Sequence, residues 1–249
     1  MIERRRAQKL NTRLLAEKFN YQATILSSTD PTKALRLAEY AFSLDTSNYT
    51  IKKNILAIYS ENSLYSDISK HSNPIYAVAI SPDNTKILTG SQDGSARIMD
   101  MKGDLITTFN GHTGDIISVA FSPDGQKIVT SSLDGTARLW DISGKQILSL
   151  TGHKSIISST AFSPDGKNIL TGSWDGTARL WDLQGNTLQI FKGHSDALTS
   201  VAFSPDGSKI LTGSKDLTAR LWNLRGKELT LFKGHIHNVN SAAFSPDGQ

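Results

Sequence analysis

The chain is 249 residues long, enough to bury a sizeable core unaided, and it has no cysteine, which excludes disulfides and every thiolate metal site. Its formal charge is +4, and the excess lies in residues 1–62, where ten Lys and Arg stand against six Asp and Glu; the rest holds seventeen of each, a poor match for a phosphate backbone. No stretch approaches the roughly 18 apolar residues of a membrane span, and the basic start MIERRRAQKLNTRLLAEKF lacks the apolar run of a signal peptide. A cytoplasmic protein with no membrane partner is the expectation.

Residues 4–28 read as a helix, with Leu10, Leu14, Leu15, Phe19 and Ala23 assigned to one apolar face. Asp30-Pro31 starts a second helix, Asp as cap and Pro in the first turn. That helix, Thr32 to Leu44, turns Ala34, Leu35, Leu37, Ala38, Ala41 and Phe42 inward. A third, Ser47 to Ser60, carries Ile51, Ile55, Leu56 and Ile58, and the turn Asp45-Thr46-Ser47 makes the last two a helical hairpin. The Arg4-Arg5-Arg6 run reads as a solvated helix end; nucleic-acid binding through this basic helix is the alternative, and salt-dependent binding lost with residues 1–28 would reveal it.

Beyond residue 62 the chain repeats. Ser-Pro-Asp begins at Ser81, Ser122, Ser163, Ser204 and Ser245, a step of 41 each time. Gly-His follows the same step at Gly111, Gly152, Gly193 and Gly234, with Lys70-His71 as a divergent first copy. Leu-Trp-Asp falls at Leu139, Leu180 and, as Leu-Trp-Asn, Leu221, with Ile98-Met99-Asp100 in the first copy. Within one period, short apolar runs between Gly, Pro and Asp predict four antiparallel strands near 116–121, 126–132, 136–142 and 145–150. Ser122-Pro123-Asp124-Gly125 suits a type I turn, and Asp134-Gly135 suits a tight hairpin in which Gly accepts positive φ and Asp tolerates it. A four-stranded sheet is too small to stand alone, so stacked sheets must bury one another, through Ile116, Val119, Phe121, Ile128, Leu139 and Ile147 in this period.

Four polar positions share the period: His112, Thr130, Asp134 and Trp140; His153, Thr171, Asp175 and Trp181; His194, Thr212, Asp216 and Trp222; and His71, Thr89 and Asp93 with Met99 in place of Trp. A hydroxyl, a His and an Asp could be taken for a hydrolase triad, but an active site is needed once and this set recurs. No G-x-S-x-G elbow, P-loop or G-x-G-x-x-G occurs. The chain is therefore expected not to be an enzyme and to need no cofactor. His235-x-His237 could hold a metal on a strand, but His235 belongs to the repeat, so no metal site is assigned.

These spaced elements together resemble the WD-repeat family closely, over residues 71 to 249. The resemblance implies an all-β propeller, residues 63–249, behind an α-helical segment, residues 1–62. It implies that the tetrads are buried hydrogen-bonded networks, blade one being weakest for want of the indole, and that protein partners bind the face carrying the tight hairpins and Gly-His loops. On that face the residue before the hairpin Asp varies as Gln92, Leu133, Trp174 and Lys215. Three residues after the His stand Pro74, Asp115, Ile156 and Ala197, and five after it Tyr76, Ile117, Ser158 and Thr199. Trp174 is the sharpest candidate, with Leu133, Ile117 and Ile156 extending an apolar patch around it. Asp30-Pro31 with Ala34-Leu35-Arg36-Leu37-Ala38-Glu39-Tyr40-Ala41 resembles the segment preceding the propeller in bacterial signalling NTPases of the STAND class, and is also tetratricopeptide-like. The fifth repeat stops after its first strand and turn, so the count is one outer strand at Leu64–Ser69, four complete blades and one inner strand. A fragment of a larger ring, self-associating through open sheet edges, is the expectation. The function expected is a non-catalytic scaffold or ligand-sensing propeller, forming the sensor part of a STAND-class NTPase.

Overall fold

A computed structural model of the chain describes residues 2–61 and 71–248. Residue contacts divide it into two compact units, Met1–Asp67 and Ile68–Gln249. The expected outer strand at Leu64–Ser69 lies outside the described residues.

The first unit holds α1 (Ile2–Leu26), α2 (Pro31–Leu44) and α3 (Tyr49–Glu61). Asp30 caps α2 by accepting a hydrogen bond from the Lys33 amide (3.0 Å), with Pro31 as first helical residue. Asn48 does the same for α3, accepting from the Thr50 and Ile51 amides. The helices meet through Ala16, Ala23, Ala34, Ala38, Ala41, Ile51 and Ile58, all buried; the alanines let the backbones approach closely. Leu35, Leu37 and Phe42 are half-buried against this core, whereas Leu56 is exposed. The expected apolar face of α1 divides. Ala23 and Phe19 face the neighbours, but Leu10, Leu14 and Leu15 are exposed. At about 100° per residue, Leu10 and Leu14 fall on the opposite side of the helix from Ala16 and Ala23.

Among the described residues, the second unit contains sixteen strands in four sheets, β1–β4, β5–β8, β9–β12 and β13–β16, each an antiparallel meander in chain order. The second sheet runs β5 (Ile116–Phe121), β6 (Lys127–Ser132), β7 (Ala137–Asp141) and β8 (Gln146–Leu150). Its Ser122–Gly125 turn closes with the Gly125 amide donating to Ser122 O (2.8 Å) and Gly125 at φ +67°. The first sheet has Asn84 in that place, at φ +57°. The hairpin at Asp134-Gly135 corrects one expectation. The turn spans Ser132–Gly135, and only the Gly takes positive φ (+80°); Asp134, inside the turn, keeps ordinary negative φ.

Three hydrophobic cores lie between neighbouring sheets. Leu88, Ile98 and Phe109 of the first pack with Ile116, Val119, Ile128 and Trp140 of the second. Val129, Leu139 and Leu150 pack with Ile157, Ile169 and Trp181, and Leu170, Leu180 and Phe191 with Leu198, Ile210 and Trp222. The indole edges confirm the seam: Trp140 meets Phe109 at 5.8 Å and Trp222 meets Phe191 at 5.9 Å between ring centres. A Cβ on Gly172 would stand 2.6 Å from Val201 Cγ1, so glycine there admits the neighbouring valine. The expected packing residues Ile116, Val119, Ile128 and Leu139 are buried and Phe121 is half-buried. Ile147 is exposed instead, because on outermost strand β8 only Leu148 and Leu150 face the core. Beyond β16 (Glu228–Phe232) no strand forms among the described residues; Val239, Ala242 and Phe244 lie against Leu211, Ala219 and Leu221 by side-chain packing.

Candidate functional site

The tetrads close as one chain of hydrogen bonds. In the second sheet the Trp140 indole N–H donates to Thr130 Oγ1 (2.9 Å), Thr130 Oγ1 lies 2.8 Å from His112 Nε2, and His112 Nδ1 lies 2.8 Å from Asp134 Oδ2. Trp181, Thr171, His153 and Asp175 repeat this at 2.8, 2.8 and 2.9 Å, and Trp222, Thr212, His194 and Asp216 at 2.9, 2.8 and 2.7 Å. Burial pushes the His112, His153 and His194 imidazoles below their ordinary value despite the Asp beside each. Burial raises Asp175, but hydrogen bonds from Thr177, the Lys154 amide and His153 outweigh it and hold the carboxyl at about 2. Neutral histidine beside ionised aspartate orders the donors: indole to hydroxyl, hydroxyl to Nε2, Nδ1–H to carboxylate.

Residues outside the expected tetrads complete the network, and they follow the same 41-residue step. Asp134 Oδ1 accepts from both the amide and the hydroxyl of Thr136, and Oδ2 also accepts from the Thr113 amide. Ser132 Oγ donates to Gly114 O and accepts from the Asp134 amide, tying the hairpin to the Gly-His loop. The first sheet is thinner. His71 holds Thr89 (2.8 Å) and Asp93 (2.9 Å), Arg97 stands 3.6 Å from Asp93, and Met99 offers Thr89 no donor. Thr130, Thr171 and Thr212 have no exposed surface on which a hydroxyl could meet a substrate. These hydrogen bonds tie each sheet's hairpin to its Gly-His loop.

That locked frame carries the variable positions. In every sheet the residue before the hairpin Asp donates its amide to the residue three after the His: Gln92 to Pro74, Leu133 to Asp115, Trp174 to Ile156 and Lys215 to Ala197, at 2.9–3.0 Å. The residue five after the His sits at a break in strand register, so Tyr76, Ile117, Ser158 and Thr199 are bulge residues whose side chains are re-aimed. Two of these do not face outward. The Ser158 hydroxyl donates to Leu198 O (2.6 Å) and the Thr199 hydroxyl to Val239 O, so both tie one repeat to the next. Ala197 is buried, and Ile117 and Ile156 are half-buried, so the apolar patch around Trp174 is narrower than expected. Leu133 and Ile156 instead share a shallow hollow with His153 and Lys154.

Trp174 is 43 % exposed, and the Lys215 ammonium lies 4.2 Å over its ring. Such an exposed contact contributes about 0.5–1 kcal/mol. Leu217, outside the expected set, stands two residues after Lys215 at φ +68°, where the other hairpins carry Gly94, Gly135 and Gly176. The signal was available as a break in the Asp-Gly period at Asp216-Leu217. Arg4, Arg5 and Arg6, the basic run of α1, have side chains outside the described residues, and His235 and His237 are both exposed.

The family model for WD domain, G-beta repeat matches residues 62–100, 103–141, 144–182, 185–223 and 226–249. The chain belongs to that family. Its sheets are propeller blades, and as a WD-repeat protein it is of a class that works by protein binding. No curated protein matches the sequence. Among the described residues no helix is long and apolar enough to cross a membrane.

Proposed function

We propose that this chain is a non-catalytic scaffold that binds protein partners on the hairpin face of blades two to four, through Leu133, Trp174, Lys215 and Leu217. The observation that carries the reading is Trp174. The hairpin needs only a backbone amide there, as Gln92, Leu133 and Lys215 supply in the other blades, yet an indole is held nearly half exposed under a lysine. Large aromatics with one open face are the residues that dominate binding energy at interfaces. Leu217 supports it: an exposed Leu stands in the left-handed region, a backbone conformation that favours glycine and costs stability. Asp115, Ile156, Gln92 and Tyr76 form the rim. In this reading the propeller senses a ligand for a larger protein, and the resemblance of residues 30–41 to the segment before the propeller in STAND-class NTPases makes such a signalling protein the setting.

The test is Trp174→Ala with Leu133→Ser, assayed by pull-down from the native cell extract together with melting temperature. Partners should be lost while the melting temperature stays within a degree or so of the parent, since neither side chain is buried. Full recovery of partners, or their loss only through unfolding, removes the site.

A further inference from the structure

The face of α1 turned away from α2 and α3 is the least explained surface of the helical unit. Leu10, Leu14, Tyr21 and Ile25 are 61, 56, 68 and 57 % exposed. At about 100° per residue these four fall within an arc of roughly 60°, centred opposite Ala16 and Ala23. Between Lys9 and Leu26 no other residue lies in that arc, so the stripe is uninterrupted over about 22 Å of helix, with the Tyr21 hydroxyl as its one polar side-chain group. The buried clusters of the three helices include none of these four residues.

The spacing of the stripe specifies an occupant. Its steps are four, seven and four residues, the same read from either end. A reversed copy of the helix therefore sets Leu10 level with Ile25 and Leu14 level with Tyr21, twice over, as a two-fold axis requires. Charge selects the direction. Arg4, Arg5, Arg6, Lys9 and Arg13 crowd the first half of α1; a parallel pair would align them, and an antiparallel pair places them at opposite ends. We propose that α1 packs antiparallel on α1 of a second copy of this chain. The four side chains offer roughly 500 Å² per helix, about 1,000 Å² for the pair, at the small end of specific interfaces. The dimer is accordingly weak and reversible.

The absence of cysteine makes the test clean. Sedimentation equilibrium of the full chain over a concentration series should show reversible monomer and dimer, and Leu14→Glu with Tyr21→Glu should weaken the dimer at least about tenfold without lowering helicity. Under mild oxidation, a mixture of Leu14→Cys and Tyr21→Cys chains should form the mixed disulfide in preference to either homodimer. A chain that stays monomeric throughout overturns the proposal. So does association unchanged by the double Glu variant, which would place it elsewhere, for example on the exposed Val78 and Ile80 of β1 (Ile75–Ile80). Preferential cross-linking of Leu14→Cys to itself overturns the antiparallel arrangement.

Discussion

Asp175 accepts four hydrogen bonds, from the Thr177 amide and hydroxyl, the Lys154 amide and the His153 ring. Removing the carboxylate leaves these donors without a partner inside a packed blade. Asp175→Ala is expected to cost on the order of 3 kcal/mol in urea unfolding, and a variant as stable as the parent would deny the network its structural role. Leu217 predicts the opposite sign. At φ +68° a Cβ is strained where glycine is not, so Leu217→Gly should raise stability by about 1 kcal/mol while weakening partner binding. Equal or lower stability in that variant would mean the Leu side chain is held by contacts that outweigh its backbone.

At the scale of the element, the unit of cohesion is the seam between blades. Every core cluster in the repeat unit between blades one and four draws on two sheets, and the bulge hydroxyls of Ser158 and Thr199 stitch each repeat to the next. Blade one is the exception. Its inner strand β1 leaves Tyr76, Val78 and Ile80 exposed, whereas Val119 and Val201, in the place of Val78, are buried by the preceding blade. It also lacks the indole that elsewhere donates to the buried threonine. Amides of β1 to β4 (Leu105–Asn110) should therefore exchange with solvent faster than those of β9 (Ile157–Phe162) to β12 (Thr187–Lys192), as read by hydrogen-exchange mass spectrometry. Uniform protection across the four blades would show that the missing contacts carry little weight.

For the whole molecule the tetrads set a response to acid. His112, His153 and His194 bind a proton less readily folded than unfolded, so their contribution is full above the ordinary value of 6.5 and is lost as pH falls below it. Asp93, Asp175 and Asp216, held at about 2 against an ordinary 3.8, extend the loss as pH falls through that range. The two act in the same direction. Urea midpoints should be steady above neutrality, decline from about pH 6.5 downward, and decline further below about pH 4. A midpoint that is flat through the histidine range would show that the imidazoles are not buried neutral.

What the sequence determined by itself is whatever recurs. A step of 41 residues places Ser-Pro-Asp, Gly-His and Leu-Trp-Asp at matching points of each blade, and chemistry alone then pairs His with Asp and Thr with Trp. The strands and the Ser-Pro-Asp-Gly turns were legible for that reason: local patterning and repetition carry the same information many times. The capped start of α2 at Asp30-Pro31 was legible because the cap and the helix are neighbours in sequence. Only the tertiary structure decided where a side chain goes when both of its options are apolar or both polar. Leu10 and Leu14 are as hydrophobic as any residue in α1, yet alanines face the neighbouring helices because close packing favours the smaller side chain. Ser158 and Thr199 vary between repeats as binding residues would, yet a bulge turns both onto the next repeat. Ile147 and Leu148 differ by one position on β8, and only the pleat and the neighbouring blade determine which of them leaves water.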